Sequence, residues 1–66
     1  MNQNEEVMVT FRDYRCMDSK ASSGCFKVGN IYTFEFGKNI YARDDFNERY
    51  RFWKHELDLY WEKIDG

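Results

Sequence analysis

Apolar side chains along this chain recur first at every second position and later at every third or fourth. Val7, Val9 and Phe11 alternate with Met8, Thr10 and Arg12, which predicts a half-buried strand running to about Cys16 with the odd-numbered set toward the core. Residues 1–6 before it are polar and acidic, so a frayed terminus is expected there. Residues 18–24, Asp-Ser-Lys-Ala-Ser-Ser-Gly, have the chemistry of a loop. After the turn signal Gly29-Asn30, with Ile31 at the strand entrance, Tyr32, Phe34 and Phe36 share one face of a second strand. Thr33 and Glu35 take its other face. Gly37-Lys38-Asn39 reads as a tight hairpin connection, and Ile40 to Arg43 as a third strand pairing back.

From Asp44 onward two readings compete. Phe46, Tyr50, Trp53, Leu57, Tyr60 and Ile64 form a stripe at helical spacing, and Asp45 with Glu48 resembles a capping box. That helix leaves Phe52, Leu59 and Trp61 off its apolar face, and its residues are mediocre helix formers. In the other reading Asp44 to Arg49 is a polar turn, Tyr50 to Lys54 a fourth strand, His55 to Leu59 a helical turn and Tyr60 to Ile64 a last strand. The first reading gives a three-stranded antiparallel sheet plus a C-terminal amphipathic helix. The second, which uses all the aromatics, gives a small five-stranded barrel with a short helical turn before the last strand, and it is the one we favour.

Composition explains how so short a chain can hold a core. A domain of 66 residues buries only about 60% of the surface its unfolded chain exposes. Six Phe, five Tyr and two Trp offset this, since each buried ring removes roughly 150–250 Å² from water. With no Pro and only 4 Gly the chain is not linker-like, and residues 7–65 read as one domain. A barrel this small cannot enclose every ring. Some are therefore expected at the surface, with Trp61 surplus in both readings.

Ten basic and twelve acidic residues give a net charge of −2, too small for a global field that would draw in nucleic acid or an anionic membrane. The apolar runs are too short for a transmembrane span, and the first residues do not resemble a signal peptide, so a cytosolic protein with two free thiols is expected. Cys16, Cys25 and His55 are the only soft metal ligands, and their spacing does not make a zinc site. No cofactor and no enzymatic activity are expected.

The order of elements resembles the small SH3-like barrel proteins of phage and prophage genomes. The resemblance is carried by Phe26-Lys-Val-Gly-Asn-Ile-Tyr32, Arg43-Asp-Asp45, Tyr50-Arg-Phe-Trp53 and Leu59-Tyr-Trp-Glu-Lys-Ile64, and covers residues 7–65. It implies an accessory protein that binds another macromolecule in a bacterial host cytoplasm, with no family-wide active site to carry over.

Exposed Trp, Tyr and Arg dominate binding hot spots, and acidic turns fit basic grooves on a partner. The leading expectation is therefore a protein-interaction module, a phage-encoded inhibitor or modulator of a host protein. Its partner surface would comprise Tyr50, Arg51, Trp53 and Trp61 with the acidic turn Asp44, Asp45 and Glu48. A second acidic patch is expected from Glu56, Asp58, Glu62 and Asp65, and self-association into a homodimer would use the aromatic patch equally well. The alternative is a barrel binding single-stranded DNA or RNA through Arg43, Arg49, Arg51 and Lys54 beside the aromatics. Against it, the acidic residues interleaved with these cations cancel much of the phosphate-driven affinity.

Overall fold

The computed structural model of the chain describes residues 8–20 and 24–64. The expected fraying of residues 1–6, the strand position of Val7, part of the predicted loop (21–23) and Asp65 lie outside them. The described chain runs as β1 (Thr10–Cys16), β2 (Ile31–Phe36), β3 (Ile40–Arg43), β4 (Arg49–Phe52), α1 (Lys54–Tyr60) and β5 (Trp61–Lys63). All five strands join one antiparallel sheet in the order β4-β3-β2-β1-β5. The protein is thus mainly β with one short helix. The long C-terminal helix is overturned: cross-strand pairing of Tyr50, Arg51 and Phe52 with β3 captures the middle of its stripe, and Phe46 lies exposed in a turn.

Burial alternates along β2 and β4, whereas the first four residues of β1 are all exposed. Tyr32 and Phe34 of β2, Ala42 of β3, Phe52 of β4 and Trp61 of β5 point inward, with Leu57 of α1. Phe26, from the loop between β1 and β2, fills the concavity. Its ring packs edge-to-face on Tyr32 at 4.8 Å, Trp61 at 5.3 Å, Tyr50 at 5.5 Å and Phe52 at 5.6 Å between centroids. Such pairs contribute about 0.5–1.5 kcal/mol each beyond the area they bury. The loop is held in place by backbone bonds, Gly29 N donating to Cys16 O at 2.7 Å and Cys16 N to Asn30 O at 2.9 Å. Gly29 sits at φ +92°, where a side chain would be strained, which explains the glycine in the turn.

Two expectations about burial are corrected. On β1 the core-facing residues are Tyr14 and Cys16, not the odd-numbered set; Val9 and Phe11 are exposed. The register sets this, since Tyr14 faces Tyr32 and Arg12 faces Phe34, so the even positions of β1 share the inner face of β2. Trp61 is not surplus. It is 6% exposed and lies against Phe26, Phe34 and Phe52. Its indole Nε1–H has no hydrogen-bond partner among the described residues, which removes part of what burying the ring contributes.

The helix starts after Trp53, whose N–H donates to Glu56 Oε1 at 2.8 Å. This is half of a capping box, because tryptophan has no side-chain acceptor for the return bond. At the other end the chain enters β5 directly, where Met17 N donates to Tyr60 O and Ile64 N to Asp13 O, both at 2.9 Å. The helix therefore carries the chain from one edge strand of the sheet to the other.

Candidate functional site: the outer face of the sheet

The residues that alternate with the core set form the outer face, and the register lays them out in rows. Phe11, Glu35, Tyr41 and Arg51 face one another in succession across β1, β2, β3 and β4. In the neighbouring row Arg43 stands directly opposite Arg49. Between these rows lies an open groove of about 330 Å³ lined by Phe11, Thr33, Glu35, Tyr41, Arg43 and Arg49.

The guanidinium groups are ordered by their neighbours. Arg49 lies over the Tyr41 ring, 3.7 Å from its centroid, and Arg51 over Trp53 at 4.5 Å. Each such cation–π contact stabilises by about 0.5–1 kcal/mol at an exposed site. Arg43 Nη1 donates to Asn47 O at 3.0 Å. None of these three arginines has a carboxylate partner among the described residues, where the one ion pair is Arg15 with Glu62 at 2.9 Å. No acid is thus ion-paired with these cations among the described residues, although Glu35 lines the groove beside Arg43 and Arg49. Phe11 and Trp53, 61% and 56% exposed, border the same face as free aromatic surfaces.

The acidic turn has a different role from the one expected. Asp44 is buried, and its Oδ1 accepts from Phe46 N and Glu48 N, both at 2.8 Å. Asn47 N donates to Asp44 O at 3.1 Å, and Asn47 takes the left-handed conformation, φ 67°, that closes the turn. Burial pushes the Asp44 carboxyl up, but the amides of Glu48 and Phe46 and the Tyr50 hydroxyl outweigh it and hold it below the ordinary carboxylate value. Asp44 is therefore a turn-closing residue, removed from the predicted partner surface. Asp45 accepts from Tyr32 Oη at 3.1 Å while remaining exposed, and Glu48 is exposed.

Tyr50 and Trp61 leave the predicted surface as well. Tyr50 is half-buried on the inner face, its hydroxyl 3.0 Å from Cys25 Sγ. The bond to Cys25, burial and the Asp44 carboxylate all raise its pKa. Trp61 is core. Of the predicted partner residues, Arg51 and Trp53 share the outer face with Arg43 and Arg49 of the alternative set, whereas Lys54 is exposed at the helix start. The second acidic patch is divided: Glu56 caps α1 and Glu62 pairs with Arg15.

Cys16 and Cys25 are free thiols, the first fully buried. Burial pushes the Cys16 thiol up, against an opposing hydrogen bond with Asp18. No cluster of three metal-ligating side chains occurs among the described residues. Among these residues no helix is long and apolar enough to cross a membrane. Phe11, Thr33, Glu35 and Tyr41 were not singled out by sequence. The signal was the alternation on β2, which already put Thr33 and Glu35 opposite the core set. No family model, curated protein or solved structure matches the chain.

Proposed function

We propose that this chain is a non-enzymatic binding module that holds single-stranded nucleic acid on the outer face of its sheet. The observation that supports it is the set of Arg43, Arg49 and Arg51 on one face, two of them laid over aromatic rings, without carboxylate partners among the described residues. Cations that follow a phosphate chain beside aromatic platforms are what single strands require. An open, exposed sheet face also suits splayed bases better than it suits a duplex. Anisotropy of a fluorescent oligothymidylate titrated with the protein tests this. Binding at low salt should weaken as salt rises, with a log–log slope of about −2 for three phosphate contacts on a single strand. An unchanged anisotropy at low salt rules the reading out.

A second reading, an inhibitor of a host protein, is favoured by Phe46, which stands 82% exposed between Asp45 and Glu48. It keeps the expected phage context and a bacterial cytoplasmic setting, and a bacterial pull-down that Phe46→Ala abolishes would support it. Both readings take the curled sheet as an SH3-like barrel. Support for that closure is the contact of Phe52 with Trp61 across the gap between the edge strands. Nuclear Overhauser contacts between β4 and β5 backbones test it.

A further inference from the structure

Glu35 is the residue of the groove that phosphate binding does not account for. Glu35 is half-buried and paired across the ladders with Phe11 on one side and Tyr41 on the other, and its carboxylate makes no ion pair among the described residues. Adjacent strands are only about 4.8 Å apart, and Glu35 lines the groove together with both of these residues. A carboxylate repels phosphate and can only accept hydrogen bonds when ionised. The group it receives must therefore be a donor, presented beside the exposed Phe11 ring.

Arg43 and Arg49 define the other end of the groove. Like charges directly opposite on paired strands are destabilising, yet these two face each other with no carboxylate partner among the described residues. Arg49 is held over Tyr41 and Arg43 is tied to Asn47 O, so both are oriented before any ligand arrives. An anion between them relieves the repulsion. The groove thus offers an aromatic wall at Phe11, a donor-seeking floor at Glu35 and an anion seat at Arg43 and Arg49, in a volume of about 330 Å³. That is the low end of the range for small-molecule pockets.

We propose that this groove is a nucleotide subsite selective for guanine, in which Phe11 stacks the base, Glu35 accepts from its Watson–Crick edge and Arg43 and Arg49 hold the phosphates on either side of it. The inference rests on the nucleic-acid reading above and adds the identity of the base. Guanine presents two adjacent donors, N1–H and the N2 amino group, which match the two oxygens of a carboxylate as a guanidinium fork does. Cytosine and adenine each offer one amino group there. Thymine and uracil flank their single N–H with two carbonyl acceptors that a carboxylate repels.

The test measures anisotropy of labelled oligothymidylates carrying one central guanine, cytosine or thymine, with wild-type protein and with Glu35→Gln. The wild type is expected to prefer the guanine strand over the all-thymine strand on the order of tenfold, the discrimination of one bidentate contact. Glu35→Gln should lose that preference while binding the all-thymine strand at least as tightly, which also shows that the variant is folded. Equal wild-type affinity for all three strands overturns the guanine subsite and leaves the nucleic-acid reading standing. Binding of none of them, or binding of polyglutamate in their place, overturns both.

Discussion

Phe52 of β4 and Trp61 of β5 stand on opposite edges of the sheet, and their ring centroids are 5.8 Å apart at an angle of 89°. Curling of the sheet brings them together, and Phe26 fills the space they enclose. The aromatic core therefore holds together strands that do not share a backbone ladder.

Trp61→Ala is accordingly expected to cost about 3–5 kcal/mol, most of the stability of so small a domain. Trp61→Phe should cost clearly less, because it also removes the unpartnered indole N–H. Trp53→Ala, on the outer face, should cost less than about 1 kcal/mol. Urea unfolding of the three variants measures this order, and equal losses at Trp53 and Trp61 would contradict it.

The turn at Asp44 makes stability depend on acid. The folded state holds this carboxyl below its ordinary value, so the ionised form favours folding. That contribution is complete above about pH 5, where the unfolded-state carboxyl is fully ionised, and is lost as pH falls through the folded-state value. Asp44→Asn lacks the titration. Thermal midpoints of wild type and Asp44→Asn should differ most near neutrality and converge in acid; a gap that is constant with pH would refute the assignment.

Arg49→Thr should separate binding from stability. Removing one of two opposed guanidiniums relieves a repulsion of about 0.2–1 kcal/mol, while losing the contact with Tyr41 costs about 0.5–1 kcal/mol. The two nearly cancel. Oligonucleotide affinity should nevertheless fall, and the salt slope should become shallower by about 0.7, one phosphate contact on a single strand.

Glu56 is a cap and not part of an acidic docking patch. Glu56→Ala should destabilise by about 1 kcal/mol, whereas Glu56→Gln, which keeps the acceptor for Trp53 N, should retain most of that. Circular dichroism melts of the two variants distinguish a cap from a merely charged surface position.

The strands from Ile31 to Arg43 were legible because alternation and turn chemistry agree there: the hairpin at residues 37–39 pairs Phe36 with Ile40 as expected. The division of the C-terminal half into turn, strand, helical turn and strand was also legible, from the β propensity of its aromatics. The inward face of β1 was not, because both of its faces carry apolar residues and only pairing with β2 selects between them. The burial of Trp61 is hidden from the local sequence for a related reason. Nothing local to Phe26 says that a loop residue will enter the core, and without that ring the concavity that receives Trp61 does not exist. The outer-face site was legible in its arginines but not in Phe11, Glu35 or Tyr41, which the register alone brings into one row.

The run of α1 from one edge of the sheet to the other has a further consequence for solubility. An unpaired edge strand is a template on which another chain can add, and long flat edges of this kind lead to fibre growth. Here the two edges are 4 and 3 residues long, carry Arg49 and Arg51 on one side and Glu62 and Lys63 on the other, and are drawn toward each other by the curl. Neither of these two strands offers a long straight run of free amides for a second molecule to extend. The short helix that delivers Trp61 to the core thus also joins two edge strands that are both short and charged.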